Sequence, residues 1–151
     1  MDILIVLESS NGKIHRMSLE AISAAQNLAS EFDLKIAALA MGENANALCE
    51  EASRFNLEEI IKVENDLLLE YSSDGYAETL NQVISRENPK FIFFGHTYQV
   101  RDYVPRLSAK LMKPFLADNV AINLSEHSVS CTKQMFLSLI HISEPTRLHV
   151  I

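Results

Sequence analysis

The sequence has few of the glycines on which the common nucleotide-binding loops depend. Only 4 of its 151 residues are glycine, and they form neither the GxGxxG pattern of dinucleotide-binding loops nor the GxxxxGKS/T pattern of phosphate-binding loops. The first apolar run leads instead into Glu8-Ser9-Ser10-Asn11-Gly12, where a Rossmann unit needs glycines so that pyrophosphate can approach the backbone. Within these residues we therefore exclude phosphate binding by either route.

Basic residues are scarce as well. The chain has 13 Lys and Arg against 20 Asp and Glu, for a formal net charge of -7. Because affinity for nucleic acid depends mainly on Lys and Arg, this balance argues against a nucleic-acid partner. No stretch approaches the roughly 20 apolar residues of a membrane span, and the start of the chain lacks the basic region of a signal peptide. We therefore expect a cytoplasmic protein with no membrane insertion.

The potential metal ligands and reactive side chains are scattered. Cys49 and Cys131 form no CxxC pair and are predicted to be packed thiols. The five histidines have no partners at metal-ligand spacing, so no metal site is expected. Ser9 and Ser10 follow the first strand without the GxSxG pattern of a hydrolase nucleophile. No catalytic residue is therefore predicted.

The apolar pattern alternates between buried strands and amphipathic helices. Continuous apolar runs rich in Ile, Val and Phe predict strands, and apolar positions at helical spacing predict the helices between them. The predicted strands are 3–7, 34–41, 59–63 and 91–94, with extended segments at 115–124 and a last strand at 129–136. Ser18 is expected to cap the first helix. The alternation predicts an α/β fold, a three-layer sandwich with a mostly parallel sheet.

One segment after the strongest strand, 95–107, has the most specific pattern. Gly95 allows a tight exit from the strand, and Arg101 and Asp102 are expected at the start of the next helix, where Asp can accept unpaired backbone amides. Pro105 favours that start because proline is best accommodated in a first turn. Arg106 can reach back to a carboxylate or a carbonyl. The segment is interpreted as a braced strand-to-helix corner, with direct ligand contact as the alternative; His96 is a second candidate for ligand contact.

The order of glycine, polar loop, Arg-Asp and Arg-Leu resembles electron transfer flavoprotein alpha subunits. The resemblance covers about residues 1–134 and extends to other segments: Asp2 to Val6 with Gly12-Lys13 and Ser18-Leu19-Glu20, Asn65-Asp66 with the residues up to Tyr76-Ala77, and Ala117-Asp118-Asn119-Val120. Lys113-Pro114 departs from the glycine usual in the family. The fold that the resemblance implies is Rossmann-like, of the adenine nucleotide alpha hydrolase-like type.

The resemblance also implies a function. Members of the family are alpha/beta heterodimers that accept electrons from dehydrogenases through a bound FAD and pass them on. The FAD is held mainly by a second domain of the alpha subunit, which these residues do not include, so no cofactor-binding residue is assigned here. The N-terminal domain is a scaffold that packs against the beta subunit, with Gly95, Arg101, Asp102 and Arg106 as its candidate structural or interface motif. The alternative is a stand-alone nucleotide-binding regulatory domain of the stress-protein type, which would require a late glycine-rich phosphate motif.

The end of the chain does not match the rest. Leu137 to Arg147 reads as the translation of a transposase adapter used to prepare sequencing libraries. We therefore predict a domain at 1–136 and an artefactual tail at 137–151. Because the apolar segment Leu137 to Ile142 was not selected to fit this core, we expect it to be loosely attached or exposed.

Overall fold

The fold consists of a parallel α/β core followed by a small antiparallel sheet. The structure is a computed structural model that describes residues 1–125, 128–135 and 138–145. In chain order the elements are β1 (Ile3–Val6), β2 (Ser9–Ser10), β3 (Lys13–Ile14), α1 (Arg16–Phe32), β4 (Ile36–Met41), α2 (Ala45–Ala52), β5 (Glu59–Val63), a 3-10 turn (Asp66–Leu68), α3 (Ser73–Glu87), β6 (Phe91–Phe94), α4 (Tyr98–Leu111), β7 (Asn119–Leu124), β8 (Ser128–Met135) and β9 (Ser138–Pro145).

The core sheet has the strand order β5-β4-β1-β6, and all of its pairings are parallel. Successive residues of β1 point to opposite faces, so Ile3 and Ile5 pack with α1 and α2, whereas Leu4 and Val6 pack with α3 and α4. Both faces are therefore covered, which explains why the strands are continuous apolar runs. The predicted three-layer α/β sandwich is confirmed.

The strand order reverses between β1 and β6. After β1 the chain moves outward through β4 and β5, then returns across the sheet to β6 on the other side of β1. Open α/β sheets bind ligands beyond the carboxyl ends of their strands at such a switch point. The residues that follow β1, β4 and β6 are therefore the first place to look for a site.

Two helix starts differ from the prediction. α1 begins at Arg16, and His15 is its N-cap, with Nδ1 accepting from the Met17 amide at 3.0 Å. Ser18 is fully buried and accepts instead from the Glu8 amide, because its hydroxyl points into the core.

α4 begins at Tyr98, not near Arg101 or Asp102, and Pro105 lies inside the helix. The prediction was wrong because Thr97 fixes the start of the helix: its Oγ1 accepts from the Val100 amide at 3.1 Å. Pro105 lacks the N–H that would close one bond of the helical ladder, and its ring is exposed to solvent.

The carboxyl-terminal strands form an antiparallel sheet in the order β7-β8-β9. β7 and β8 match the extended segments predicted at 115–124 and 129–136, although Phe136 lies outside the described residues. The backbone of β9 pairs with β8 from Ser138 to Pro145, at the edge of this sheet. An apolar segment of high β-propensity pairs with an open strand edge whatever its origin. The expectation that Leu137 to Ile142 is loosely attached or exposed therefore stays a prediction, and Leu137 itself lies outside the described residues.

The described residues contain neither a helix that could span a membrane nor a cluster of metal ligands. No helix in 1–125 is long and apolar enough to cross a membrane. Across the described part of the chain, no group of three or more His, Cys, Asp or Glu side chains is arranged to hold a metal ion. Cys49 is half-buried and Cys131 is buried, and neither forms a disulfide, which agrees with the prediction of packed thiols. His127 and His149 lie outside the described residues.

Candidate functional site

A polar cavity of about 160 Å³ lies beyond the carboxyl ends of β1 and β4. We call it the tyrosine pocket; the lining residues that matter for its chemistry are Glu8, Ser9, Glu43, Tyr71, Tyr76 and Tyr103. The strand ends, the turn after β5 and the first turns of α3 and α4 converge here. The pocket therefore occupies the position at which this class of fold binds ligands.

Glu8 is held by three hydrogen bonds, two with the start of α1 and one with the start of α4. Its amide donates to Ser18 Oγ of α1 at 3.0 Å, and its carbonyl accepts from the His15 amide at 2.8 Å. Its Oε2 accepts from Thr97 Oγ1, the N-cap of α4, at 2.5 Å. Among the described residues no Lys, Arg or His forms an ion pair with this half-buried carboxylate. Glu8 thus brings a fixed negative charge to the wall of the pocket.

Three tyrosine rings form a continuous aromatic wall. The centroids of Tyr71 and Tyr76 are 5.0 Å apart, and those of Tyr76 and Tyr103 are 5.7 Å apart. Burial, followed by the hydrogen bond that Tyr71 donates to Asp102 Oδ2 at 2.6 Å, raises the pKa of Tyr71 to about 12. Burial, and secondarily the charge of Glu8, raises the pKa of Tyr103 well above its ordinary value. All three side chains are therefore neutral phenols at physiological pH.

The tyrosine pocket does not fit FAD. Its lining includes two carboxylates, Glu8 and Glu43, and no Lys or Arg, so it repels the pyrophosphate of a dinucleotide. The β1 exit also lacks the glycines through which backbone amides approach a pyrophosphate. A cavity of about 160 Å³ is also smaller than the sites that hold drug-sized ligands, for which several hundred Å³ is usual.

A second cavity, of about 200 Å³, lies on the other side of the switch point. This apolar groove is bounded by α1, β6, α4 and the antiparallel sheet, and its floor includes Phe91 and Phe93. Its polar lining includes His96, an exposed residue at the carboxyl end of β6. The Oδ1 atom of Asn119 is buried in the same wall without a hydrogen-bond partner among the described residues.

The residues of the predicted motif separate onto two sides of α4. Gly95 and Arg101 line the apolar groove, and the Arg101 guanidinium carbon lies 5.9 Å from the Tyr98 ring centroid. Asp102 and Arg106 face the opposite side, towards the start of α3. The four residues thus do not form one cluster, and their functional role stays a prediction.

Each motif residue has an identifiable contact. A Cβ on Gly95 would lie 2.8 Å from the Met17 carbonyl carbon, so only glycine lets β6 exit against α1. Asp102 accepts from Tyr71 instead of capping the helix, because it lies one turn inside α4. Arg106 Nη1 donates to Asp74 Oδ1 at 2.8 Å, and both side chains are exposed.

The sequence analysis missed the tyrosine pocket. Tyr76 and Tyr103 have the helical spacing of core residues, and Tyr71 lies in a connecting segment. Glu8 and Thr97 are 89 positions apart, so local pattern gives no indication of their contact. The one available signal was the acidic residue directly after a buried strand at the start of the chain.

Comparison with known proteins identifies the family. A family model described as "Electron transfer flavoprotein domain" matches residues 3–151. The chain is 25% identical over 134 residues to the electron transfer flavoprotein subunit alpha of Bacillus subtilis, covering 89% of this chain and 41% of that protein. It is 29% identical over 128 residues to the corresponding subunit of Thermoanaerobacterium thermosaccharolyticum, covering 85% and 39% respectively.

A third relative has a different name. The acryloyl-CoA reductase electron transfer subunit beta of Anaerotignum propionicum is 30% identical over 117 residues, which cover 78% of this chain and 32% of that protein. The chain thus spans about two fifths or less of the length of these relatives. With the family match over nearly all of its residues and the α/β fold expected from the resemblance, the chain belongs to the electron transfer flavoprotein family.

Proposed function

We propose that this chain is the N-terminal scaffold and beta-subunit-binding domain of an electron transfer flavoprotein alpha subunit. The main support is the acidic, tyrosine-lined wall at the switch point. This wall lies where folds of this kind usually bind a ligand, but its carboxylates repel the phosphates of a flavin dinucleotide. A domain of this family that does not bind the cofactor at this position is suited to a structural role. The relatives named alpha subunits support the same assignment.

The intact carrier, on this proposal, holds FAD in a part of the alpha subunit beyond these residues. The relatives are more than twice as long as the matched region, which leaves room for such a domain. The carrier accepts electrons from dehydrogenases and delivers them to a downstream acceptor in the cytoplasm. It is an electron carrier and not an enzyme. We also propose that the native domain is 1–136 and that 137–151 is a foreign tail, although the family match extends across both.

Exposed apolar side chains support a partner-binding role. Large apolar residues remain exposed at Leu67, Leu69, Tyr98, Met112 and Val120. Leu67 and Leu69 lie in the turn after β5, next to Tyr71 at the mouth of the tyrosine pocket. Leu67, Leu69 and Tyr71 thus place three exposed apolar or aromatic side chains within one short segment, and such grouping is typical of a face that another protein covers.

The test is reconstitution with a beta subunit. The chain is co-expressed with the beta subunits of Bacillus subtilis and Thermoanaerobacterium thermosaccharolyticum and analysed by size-exclusion chromatography with visible absorbance. We expect a heterodimer without flavin absorbance. Stoichiometric flavin on the chain alone would overturn the scaffold assignment. A rise of several degrees in melting temperature with AMP or ATP would favour the stress-protein alternative.

A further inference from the structure

We propose that the tyrosine pocket binds an organic cation, a guanidinium or primary ammonium group. The proposal is independent of the beta-subunit assignment, because it rests only on the charge, the aromatic wall and the polar atoms of this cavity. Its ligand class is opposite in charge to the nucleotides that sheets of this kind bind at their carboxyl edges.

The wall of the pocket contains a carboxylate without a counter-ion among the described residues. Glu8 is half-buried, and its side chain receives one hydrogen bond, from Thr97, among the described residues. A carboxylate can accept several more donors, and a partly buried charge without a counter-ion is costly. Glu43 adds an exposed carboxylate at the rim. A cation bound between the two carboxylates neutralises their charge and donates hydrogen bonds to their free oxygen lone pairs.

The same pocket has an aromatic wall. Tyr71, Tyr76 and Tyr103 all line the cavity, and the centroids of adjacent rings are 5.0 and 5.7 Å apart. Ring faces attract ammonium and guanidinium groups, and the attraction is stronger where water is excluded. A carboxylate beside several tyrosines is a combination suited to recognising a cation and unsuited to a phosphate.

The same pocket is also lined by a serine hydroxyl. Ser9 Oγ is buried and has no hydrogen-bond partner among the described residues. Native structures rarely leave such atoms unsatisfied, so a further partner for this hydroxyl is expected. A serine hydroxyl donates as well as accepts, so it can serve a ligand N–H group but does not by itself select a cation.

The surface around the turn after β5 has a small excess of negative charge. Residues 63–85, which include this turn and most of α3, contain five acidic residues and no Lys or Arg, but Glu64, Asp74 and Glu78 pair with Lys62, Arg106 and Lys110. The remaining negative charge favours the approach of cations over that of anions. The cavity volume of about 160 Å³ suits a cationic head with a short alkyl chain and not a nucleotide.

The guanidinium or ammonium group has two possible sources, a free small molecule or a basic side chain of another protein. Agmatine represents the first, and N-acetyl-arginine-N-methylamide represents the second, since it carries the same guanidinium on a peptide unit. Both are titrated into the full chain by isothermal calorimetry, with butylurea as an uncharged control. Tighter binding of agmatine identifies a free amine as the ligand, whereas tighter binding of the arginine amide identifies a side chain.

Variants locate the binding. We expect Glu8→Gln to weaken binding of the preferred probe at least about tenfold and Glu43→Gln to weaken it by about threefold, both without loss of the folded circular dichroism spectrum. Glu70→Gln removes an exposed carboxylate outside the lining and is the matched control. Because the Glu43 side chain makes no hydrogen bond to any described residue, its variant stays informative if Glu8→Gln unfolds. The proposal is overturned if neither probe binds, if butylurea binds equally well, or if Glu43→Gln and Glu70→Gln have the same effect.

Discussion

Thr97 Oγ1 donates a hydrogen bond of 2.5 Å to Glu8 Oε2 and accepts one of 3.1 Å from the Val100 amide. The hydroxyl thus connects the carboxyl end of β1 to the first turn of α4, across the point at which the strand order reverses. Glu8 lines the tyrosine pocket, and Val100 lines the apolar groove. The Thr97 side chain therefore links the walls of the two cavities.

Replacing Thr97 by Val keeps the shape of the side chain and removes both hydrogen bonds. We expect a loss of about 1–3 kcal/mol in the free energy of unfolding, because a helix cap is lost and the Glu8 carboxylate loses the hydrogen bond that Thr97 donates. Urea denaturation at constant pH measures the change. Thr97→Ser retains the hydroxyl and should recover most of the stability; equal losses in the two variants would mean that packing of the methyl group, and not hydrogen bonding, is what matters.

Gly95 is expected to tolerate no side chain. The Cβ of alanine would lie 2.8 Å from two Met17 atoms and 2.9 Å from the Ser18 amide nitrogen, and backbone atoms cannot move aside cheaply. We expect Gly95→Ala to destabilise the fold by about 1–3 kcal/mol, the range typical of overpacking. Thermal and urea unfolding measure the loss.

Gly12→Ala provides the comparison for Gly95. Gly12 has a φ of +75° but no heavy atom within 4 Å of an added Cβ, so its substitution reports backbone strain alone. We expect a loss of about 1 kcal/mol there. If Gly95→Ala costs no more than Gly12→Ala, the close approach of β6 to α1 is not a constraint on the fold.

The core sheet was predictable because each of its strands is recognisable from neighbouring residues in the sequence. Strands such as Phe91–Phe94 are uninterrupted apolar runs, and their burial on both faces follows from that pattern alone. The start of α4 was predicted too late in the chain, because the preference of proline for a first turn was given more weight than the capping side chain of Thr97. The tyrosine pocket was not predictable, since it depends on contacts between Glu8, Thr97 and tyrosines from three separate segments. Such contacts follow from topology and not from local spacing.

Asp2 connects three strands at the amino-terminal edge of the sheet. Its carboxylate accepts from the Lys35 amide at 3.0 Å and pairs with Lys90 Nζ at 2.7 Å. The hydrogen bond from Lys90, followed by that from the Lys35 amide, lowers the pKa of Asp2 below its ordinary value of 3.8. The stabilisation is therefore complete above that ordinary pKa and is lost as the pH falls through the lower pKa of the folded state.

We expect Asp2→Asn to reduce the free energy of unfolding by about 1 kcal/mol at neutral pH and to have a smaller effect in acid. Urea titrations at a series of pH values from neutral to about 2 measure the difference. Glu31→Gln, which removes an exposed carboxylate of α1, is the control for net charge. A difference between wild type and Asp2→Asn that does not shrink below pH 3.8 would contradict the assigned pKa shift.

Tyr71 should make the fold sensitive to alkaline pH. Its pKa is raised to about 12 in the folded state, from an ordinary value of 10.0, chiefly by burial and then by Asp102. Because folding favours the neutral phenol, Tyr71 contributes fully to the stability of the fold below its ordinary pKa. This contribution is lost as the pH rises through the higher pKa of the folded state. We expect Tyr71→Phe to flatten the decline of stability between pH 10.0 and about 12. Tyr98→Phe, at a ring that is 89% exposed, controls for the loss of a surface phenol, and an equal flattening there would refute the prediction.

The last strand tests whether the chain's final segment belongs to the domain. β9 pairs with β8 only, at the edge of the antiparallel sheet, whereas β4 lies between two strands inside the parallel core. Protection from hydrogen exchange reflects the stability of the unit that must open, so an added edge strand should exchange much faster than the core. We expect the amides of Ser138–Pro145 to exchange at least about tenfold faster than those of Ile36–Met41.

A chain ending at residue 136 should keep the protection of β4 while β7 and β8 lose theirs, because a hairpin of two strands is marginally stable. Protection of β9 equal to that of β4, or global unfolding of the shortened chain, would show that the segment is an integral part of the fold and would refute a domain boundary at 136.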